Sequence, residues 1–354
     1  MGMRAEAAVS KGDFGTTPDG HRVEVYTLTS EHVEARVTTY GARLISVRTP
    51  DRTGNLADIV LGYDTLHEWL ADNKTHLGAI VGRYGNRIAK GAFTLDGHRY
   101  LSPVNNNGNT LHGGPVGFDK KFWNAKLVPN GVELTLVSLD GDMGFPGTLT
   151  AKVTYTLVRN SLTIRYQEMS DKPTVVNLTN HTYFNLSGNE QSNVLGHLVT
   201  LRAQTFTPVD RMLIPTGEIR DVRGTPMDFR VAHSIGERID SDYEQIRLAG
   251  GYDHNWIVNG RAGTLRQAAY VREPQSGRTL TVMTTEPGVQ FYSGNFLDGT
   301  YTGRHGKRYT KNMGFCLETQ HYPDSPNHAN FPSTVLRPGH VRSSTTVFRF
   351  GIYS

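Results

Sequence analysis

Apolar and polar positions alternate with a period of two along much of the chain. Val23-Glu24-Val25-Tyr26-Thr27-Leu28, Glu34-Ala35-Arg36-Val37-Thr38-Thr39-Tyr40, Val132-Glu133-Leu134-Thr135-Leu136-Val137 and Ala151-Lys152-Val153-Thr154-Tyr155-Thr156-Leu157 each read as half-buried strands. Turn chemistry separates them at Pro18-Asp19-Gly20, Leu95-Asp96-Gly97, Pro129-Asn130-Gly131 and Val158-Arg159-Asn160-Ser161. Helical periodicity is scarce: Thr65-Leu66-His67-Glu68-Trp69-Leu70 predicts a short helix, and little else does. There is no fixed-period repeat, and the Gly/Pro-rich stretches 141–147 and 323–339 read as loops within the pattern. The expectation is an all-β chain, one large antiparallel β-sandwich of two packed sheets spanning 1–354 as a single domain. Loop-borne residues at an edge or concave face would build its site.

Composition narrows the function classes. The 354 residues include 38 glycines, 16 tyrosines and 14 phenylalanines, a mixture suited to many strands joined by tight turns. The formal charge of +4 is spread without a run of like charges, so no nucleic-acid partner is expected. The single cysteine, Cys316, leaves no intrachain disulfide and no cysteine-based zinc motif. No apolar run is long enough to span a membrane, and Met1-Gly2-Met3-Arg4-Ala5-Glu6-Ala7-Ala8-Val9-Ser10 lacks a signal-peptide core. A cytoplasmic protein, monomeric or homodimeric, is the expectation, with the sequons at Asn177, Asn180 and Asn185 read as ordinary residues.

Two placements of polar side chains stand out. Phe315-Cys316-Leu317-Glu318-Thr319-Gln320-His321 carries a carboxylate inside an apolar strand, where Glu318 shares a face with Cys316 and Gln320. Thr174-Val175-Val176-Asn177-Leu178-Thr179-Asn180-His181-Thr182-Tyr183-Phe184 sets a histidine in an equally strand-like run. A carboxylate and an imidazole on rigid structure suffice to move a proton onto one atom and off another. Taken singly, Glu318 reads first as an exposed or ion-paired strand residue and His181 as a hydrogen-bonded core histidine. His112 lies in a Gly-rich loop that allows close approach to a ligand, while Asn86, Arg87, Asp253 and Gln290 are unspecific alone. Trp123, Tyr183, Tyr292, Phe296 and Tyr322 lie near these segments, and rings among polar groups suit a carbohydrate. No phosphate loop, dinucleotide fingerprint, zinc helix or serine elbow is present, so neither cofactor nor metal is expected.

Taken together, these segments resemble the aldose 1-epimerase (mutarotase) family. The collinear motifs run from Gly82-Arg83-Tyr84-Gly85-Asn86-Arg87-Ile88 through Gly117-Phe118-Asp119-Lys120, Asp140-Gly141-Asp142-Met143-Gly144-Phe145-Pro146-Gly147, Asn180-His181-Thr182-Tyr183-Phe184-Asn185-Leu186 and Gly251-Tyr252-Asp253-His254-Asn255 to Cys316-Leu317-Glu318-Thr319-Gln320-His321. The resemblance implies a β-supersandwich that interconverts α and β anomers of a monosaccharide, with Glu318 as general base and His181 as general acid. It implies that Asn86, Arg87, His112, Asp253 and Gln290 bind sugar hydroxyls or assist near the ring oxygen. Glu318 and His181 are then expected to face each other across one hexose. A non-catalytic sugar-binding module, a glycoside hydrolase with Asp253 as second carboxylate, and an aldose–ketose isomerase are the rival readings.

Overall fold

The computed structural model describes residues 7–188 and 192–353. The first six residues, read above for a leader, lie outside the described residues. The largest sheet has nine strands, in the spatial order Asn124–Val128, Gly131–Ser138, Leu149–Val158, Ser161–Ser170, Arg342–Ile352, Arg278–Thr284, Arg266–Arg272, Leu198–Leu201 and His233–Ser234. Every pairing in it is antiparallel. Its register follows from the period-two pattern. Along Leu149–Val158, alternate residues from Leu149 to Leu157 are buried and those between are half-buried. A one-residue slip would turn that whole apolar set to water, so the pairing with Ser161–Ser170 is strongly specified.

Two five-stranded antiparallel sheets complete the scaffold. One is formed by the N-terminal strands Ala8–Thr16, Arg22–Thr29, Glu34–Thr38, Leu44–Pro50 and Leu56–Asp58. The other runs Arg220–Asp221, Ala203–Thr207, Asp253–Val258, Gly288–Tyr292 and Cys316–Gln320. The sandwich therefore has three principal sheets where the sequence pattern suggested two. The last of these packs Trp256, Val289, Phe291 and Leu317 into the main core shared with Ile164, Val282 and Phe348 of the nine-stranded sheet. Thr319 Oγ1 and Thr346 Oγ1 join the two layers at 2.5 Å. Each such buried Leu, Val or Phe contributes roughly 1.5–3 kcal/mol.

The expected helix is present as Leu66–Ala71, opened by a capping box in which Thr65 and Glu68 satisfy each other's backbone donors. A second short helix, Glu244–Ala249, was not expected; it buries Gln245, Ile246 and Ala249 and ends on Gly250 in the left-handed conformation. The run around His181 also departs from the expectation of one strand. It breaks into Thr174–Val175, paired with Val335–Leu336, and Thr179–Asn180, paired with Ile80–Val81. His181 sits just beyond the second pairing.

Candidate active site

Register alone assembles half of the site. In the sheet of Asp253–Val258, Gly288–Tyr292 and Cys316–Gln320, Asn255 lies opposite Gln290, and Gln290 opposite Glu318. The neighbouring row is Asp253, Tyr292 and Cys316. Because side chains alternate, these rows share one face while Trp256, Phe291 and Leu317 go to the core on the other. Every residue of Gly288–Tyr292 and Cys316–Gln320 is buried, so a polar face is enclosed rather than solvated. Its groups bond from row to row: Gln320 Nε2 donates to Gln290 Oε1 at 3.2 Å, and Gln290 Nε2 donates to Asp253 Oδ1 at 2.9 Å. Arg87 Nη1 stands 4.0 Å from Asp253 Oδ2, and Arg87 Nε donates to Asn106 Oδ1 at 3.3 Å.

The histidines arrive on separate loops. The His181 N–H donates to Ala79 O at 2.8 Å, and its own carbonyl accepts from Gly78 N–H at 2.9 Å. His112 follows the short pairing of Thr110–Leu111 with Arg87–Ile88. Its N–H donates to Asn86 O at 2.9 Å, and its ring Nδ1 accepts from Asn86 N–H at 3.1 Å. The ring is thereby fixed with Nε2 toward the cavity. This turn depends on Gly113, where a Cβ would lie 2.0 Å from Gly82 O. A third imidazole, His76, joins them, with its ring 4.7 Å from that of His112 and 5.9 Å from that of His181.

At the centre, His181 Nε2 approaches Glu318 Oε1 at 3.7 Å, both side chains almost wholly buried. Glu318 Oε2 is buried with no hydrogen-bond partner among the described residues, a costly condition for a carboxyl group. Burial, then the nearby Asp253 charge, pushes Glu318 well above the usual carboxylate range, and Arg87 opposes that rise. Burial, aided by His76, lowers His181 to about 3. Cys316 Sγ lies 3.5 Å from His181 Nδ1. Burial holds that thiol protonated, and the direction of its contact with Nδ1 follows the tautomer of the imidazole. Burial therefore favours the neutral form of each member, which leaves the pair one proton to share. The expectation that the two groups face each other across the sugar is not met. They converge on one point, which suits two oxygens attached to a single carbon.

Every sequence-predicted site residue is brought together here. Glu318, His181, Asn86, Arg87, His112 and Asp253 line one cavity of about 570 Å³, in the range that encloses a small ligand. Gln290 lies behind that lining, where it orients Asp253. Tyr183 stacks on His181 at 5.1 Å and Tyr292 meets Tyr183 edge-on at 5.8 Å, forming an apolar flank. Trp123 instead donates to Phe118 O inside the core, remote from this role. His76 was missed because Asn73-Lys74-Thr75-His76 carries no pattern; its only sequence signal is the quoted Asp119 motif that it binds. The ligand atoms of His112, His181 and Glu318 lie within 4.8 Å of one another and offer a divalent ion a two-histidine, one-carboxylate set.

Similarity to known proteins extends along nearly the whole chain. Galactose mutarotase of Bos taurus is 44% identical over 346 residues, covering 98% of this chain and 99% of that protein. Aldose 1-epimerase of Escherichia coli K12 is 40% identical over 338 residues, covering 94% and 96%. The crystal structure of galactose 1-epimerase from Lactobacillus acidophilus superposes with a TM-score of 0.86 at 26% identity, covering 98% of this chain and 100% of that one. An aldose epimerase homologue from C. elegans gives a TM-score of 0.85 at 30% identity, covering 98% and 100%. The aldose 1-epimerase family description itself matches residues 24–349, and the chain belongs to that family.

Proposed function

We propose that Glu318 and His181 catalyse the interconversion of α and β anomers of an aldohexose such as galactose or glucose by passing one proton between them. Family membership makes the chain an aldose 1-epimerase; the residue roles and the sugar are the proposal. The Glu318 carboxylate takes the proton of the anomeric hydroxyl while His181, as the imidazolium, gives its Nε2 proton to the ring oxygen and is left neutral with its remaining proton on Nδ1. The bond between the anomeric carbon and the ring oxygen breaks, leaving an aldehyde and a free C5 hydroxyl. Rotation about the bond to C2 presents the other carbonyl face. On reclosure the C5 hydroxyl attacks, returns its proton to His181, and the new anomeric oxygen takes the proton held on Glu318. Protons balance within the pair, so the cycle consumes nothing.

The observation carrying this reading is the 3.7 Å approach of two buried groups displaced in opposite directions. Burial favours the carboxyl with its proton and the neutral imidazole, which is the state of the pair while the sugar is open. Sugar hydroxyls bonding the carboxylate, together with Arg87, draw the proton toward His181 for opening. Asp253 is bonded to Gln290 and paired with Arg87, which suits a hydroxyl acceptor rather than the second carboxylate of a hydrolase. Anomer exchange followed by NMR on freshly dissolved galactose, glucose, xylose and arabinose tests the function. Acceleration over buffer supports it. Binding without acceleration, or release of reducing sugar from glycosides, would sink it.

A further inference from the structure

We propose that His76, held by Asp119, contacts the hydroxymethyl group at C5 of the sugar and so selects hexoses over pentoses. The inference rests on the reading of Glu318 at the anomeric hydroxyl and His181 at the ring oxygen. Around a pyranose, the neighbour of the anomeric carbon on one side is C2 with its hydroxyl. On the ring-oxygen side it is C5, which bears C6. Asp253 and Arg87 lie on the Glu318 side and supply acceptor and donor for the ring hydroxyls. His76 packs against both other imidazoles, its ring centroid 5.9 Å from that of His181 and 4.7 Å from that of His112, outside the close cluster of His112, His181 and Glu318. The C5 substituent points to that histidine wall.

His76 is built to hold one direction. Its Nδ1 donates to Asp119 Oδ2 at 3.0 Å, and that carboxylate is buried, with Arg43 Nη2 at 3.9 Å from the same oxygen. The bond to His76 and the Arg43 charge overcome burial and hold Asp119 ionised, at about 2. With Nδ1 engaged, Nε2 is the nitrogen His76 presents to the cavity it lines. The backbone at His76 is left-handed, with φ of 56°, a conformation that non-glycine residues adopt at a cost. Its loop is braced: Asp72 Oδ1 accepts from Lys74 N–H and Thr75 N–H at 3.0 Å each, and Tyr183 Oη donates to Thr75 O at 3.0 Å. A braced, strained loop that aims an imidazole at a cavity already holding two is more than core packing requires. Asp119 is then a positioning residue acting through His76.

The test compares galactose with L-arabinose, which has the same ring configuration without C6, and with 6-deoxygalactose. In the wild-type enzyme, kcat/KM for galactose should exceed that for 6-deoxygalactose by about tenfold, the usual scale for one lost hydrogen bond in a buried site. In His76→Ala the ratio of kcat/KM for galactose to that for L-arabinose should fall about tenfold, mainly through KM. Asp119→Asn should move the same ratio in the same direction by less. His76→Gln should restore part of it. Equal losses on both sugars, or wild-type indifference to the 6-hydroxyl, would overturn the proposal. If His76→Ala fails to fold, the 6-deoxygalactose comparison and His76→Gln decide. Wild-type failure to epimerise any aldose would instead strike the underlying reading.

Discussion

Replacing Asp253 by Asn, and Arg87 by Met, should move the alkaline limb of the pH–rate profile in opposite directions. That limb marks loss of the single proton shared by Glu318 and His181. Asp253 raises the Glu318 carboxyl and Arg87 lowers it. Removing the negative neighbour should bring the limb down by about one pH unit, and removing the positive one should raise it by a similar amount, the usual effect of one charge at close range. The same pair also bears on stability. At 4.0 Å between Arg87 Nη1 and Asp253 Oδ2, an effective dielectric near 20 gives about 4 kcal/mol of attraction, most of it offsetting desolvation. Each single variant strands a buried charge, because Arg87 and Asp253 are nearly inaccessible. Each should cost about 2–4 kcal/mol in urea unfolding, and the double variant should cost less than the sum by about 2 kcal/mol. In Asp253→Asn the new amide oxygen would still accept from Gln290, so that hydrogen bond survives. Polarimetry from acid to alkaline pH, with parallel unfolding curves, reads both effects. Limb shifts of the same sign in the two variants, or a coupling energy near zero, would refute this electrostatic picture of the site.

Three further outcomes are expected. Glu168 is buried, with Oε2 unpartnered among the described residues, and burial pushes its carboxyl up to about 8. A raised carboxyl loses its stabilising neutral form as pH rises between its unfolded and folded values. Glu168→Gln should therefore raise Tm at pH 9, by the equivalent of on the order of 2 kcal/mol or more, yet leave it nearly unchanged at pH 4. Cys316→Ala removes the hydrogen-bonding partner of His181 Nδ1 and should lower kcat about three- to tenfold, with Cys316→Ser recovering most of it in the same assay. Micromolar zinc should inhibit reversibly through His112, His181 and Glu318, more strongly at pH 8 than at pH 6 because protons compete for the ligands. A chelator should restore activity, and inhibition undiminished in His112→Ala would contradict that ligand set.

How much could be read beforehand depended on how each element buries its faces. Leu149–Val158 and Gly131–Ser138 were legible because one face is half-exposed and the other closed, which writes alternation into the chain. Gly288–Tyr292 is buried throughout, so its two faces cannot be told apart by polarity alone. The split around His181 was hidden because Thr174–Val175 and Thr179–Asn180 pair with strands far away in sequence, and a change of partner leaves no periodic trace. Glu244–Ala249 had a signal, Ile246 and Ala249 three apart before Gly250, but six residues fall below what periodicity resolves. Glu318 drew notice because a carboxylate among Leu, Cys and Phe is chemically out of place. His76 sits among polar neighbours and becomes visible only when folding brings Asp119 to its ring.

The central claim is that Glu318 and His181 work as one proton-sharing unit, and a double-variant measurement tests it most directly. Anomer exchange rates would be compared for Glu318→Gln, His181→Asn and the variant carrying both. Each single change should slow exchange by about 10²–10⁴-fold, and the double change should be little worse than the slower single one. A near-normal rate in either single variant, or losses that simply multiply, would contradict it.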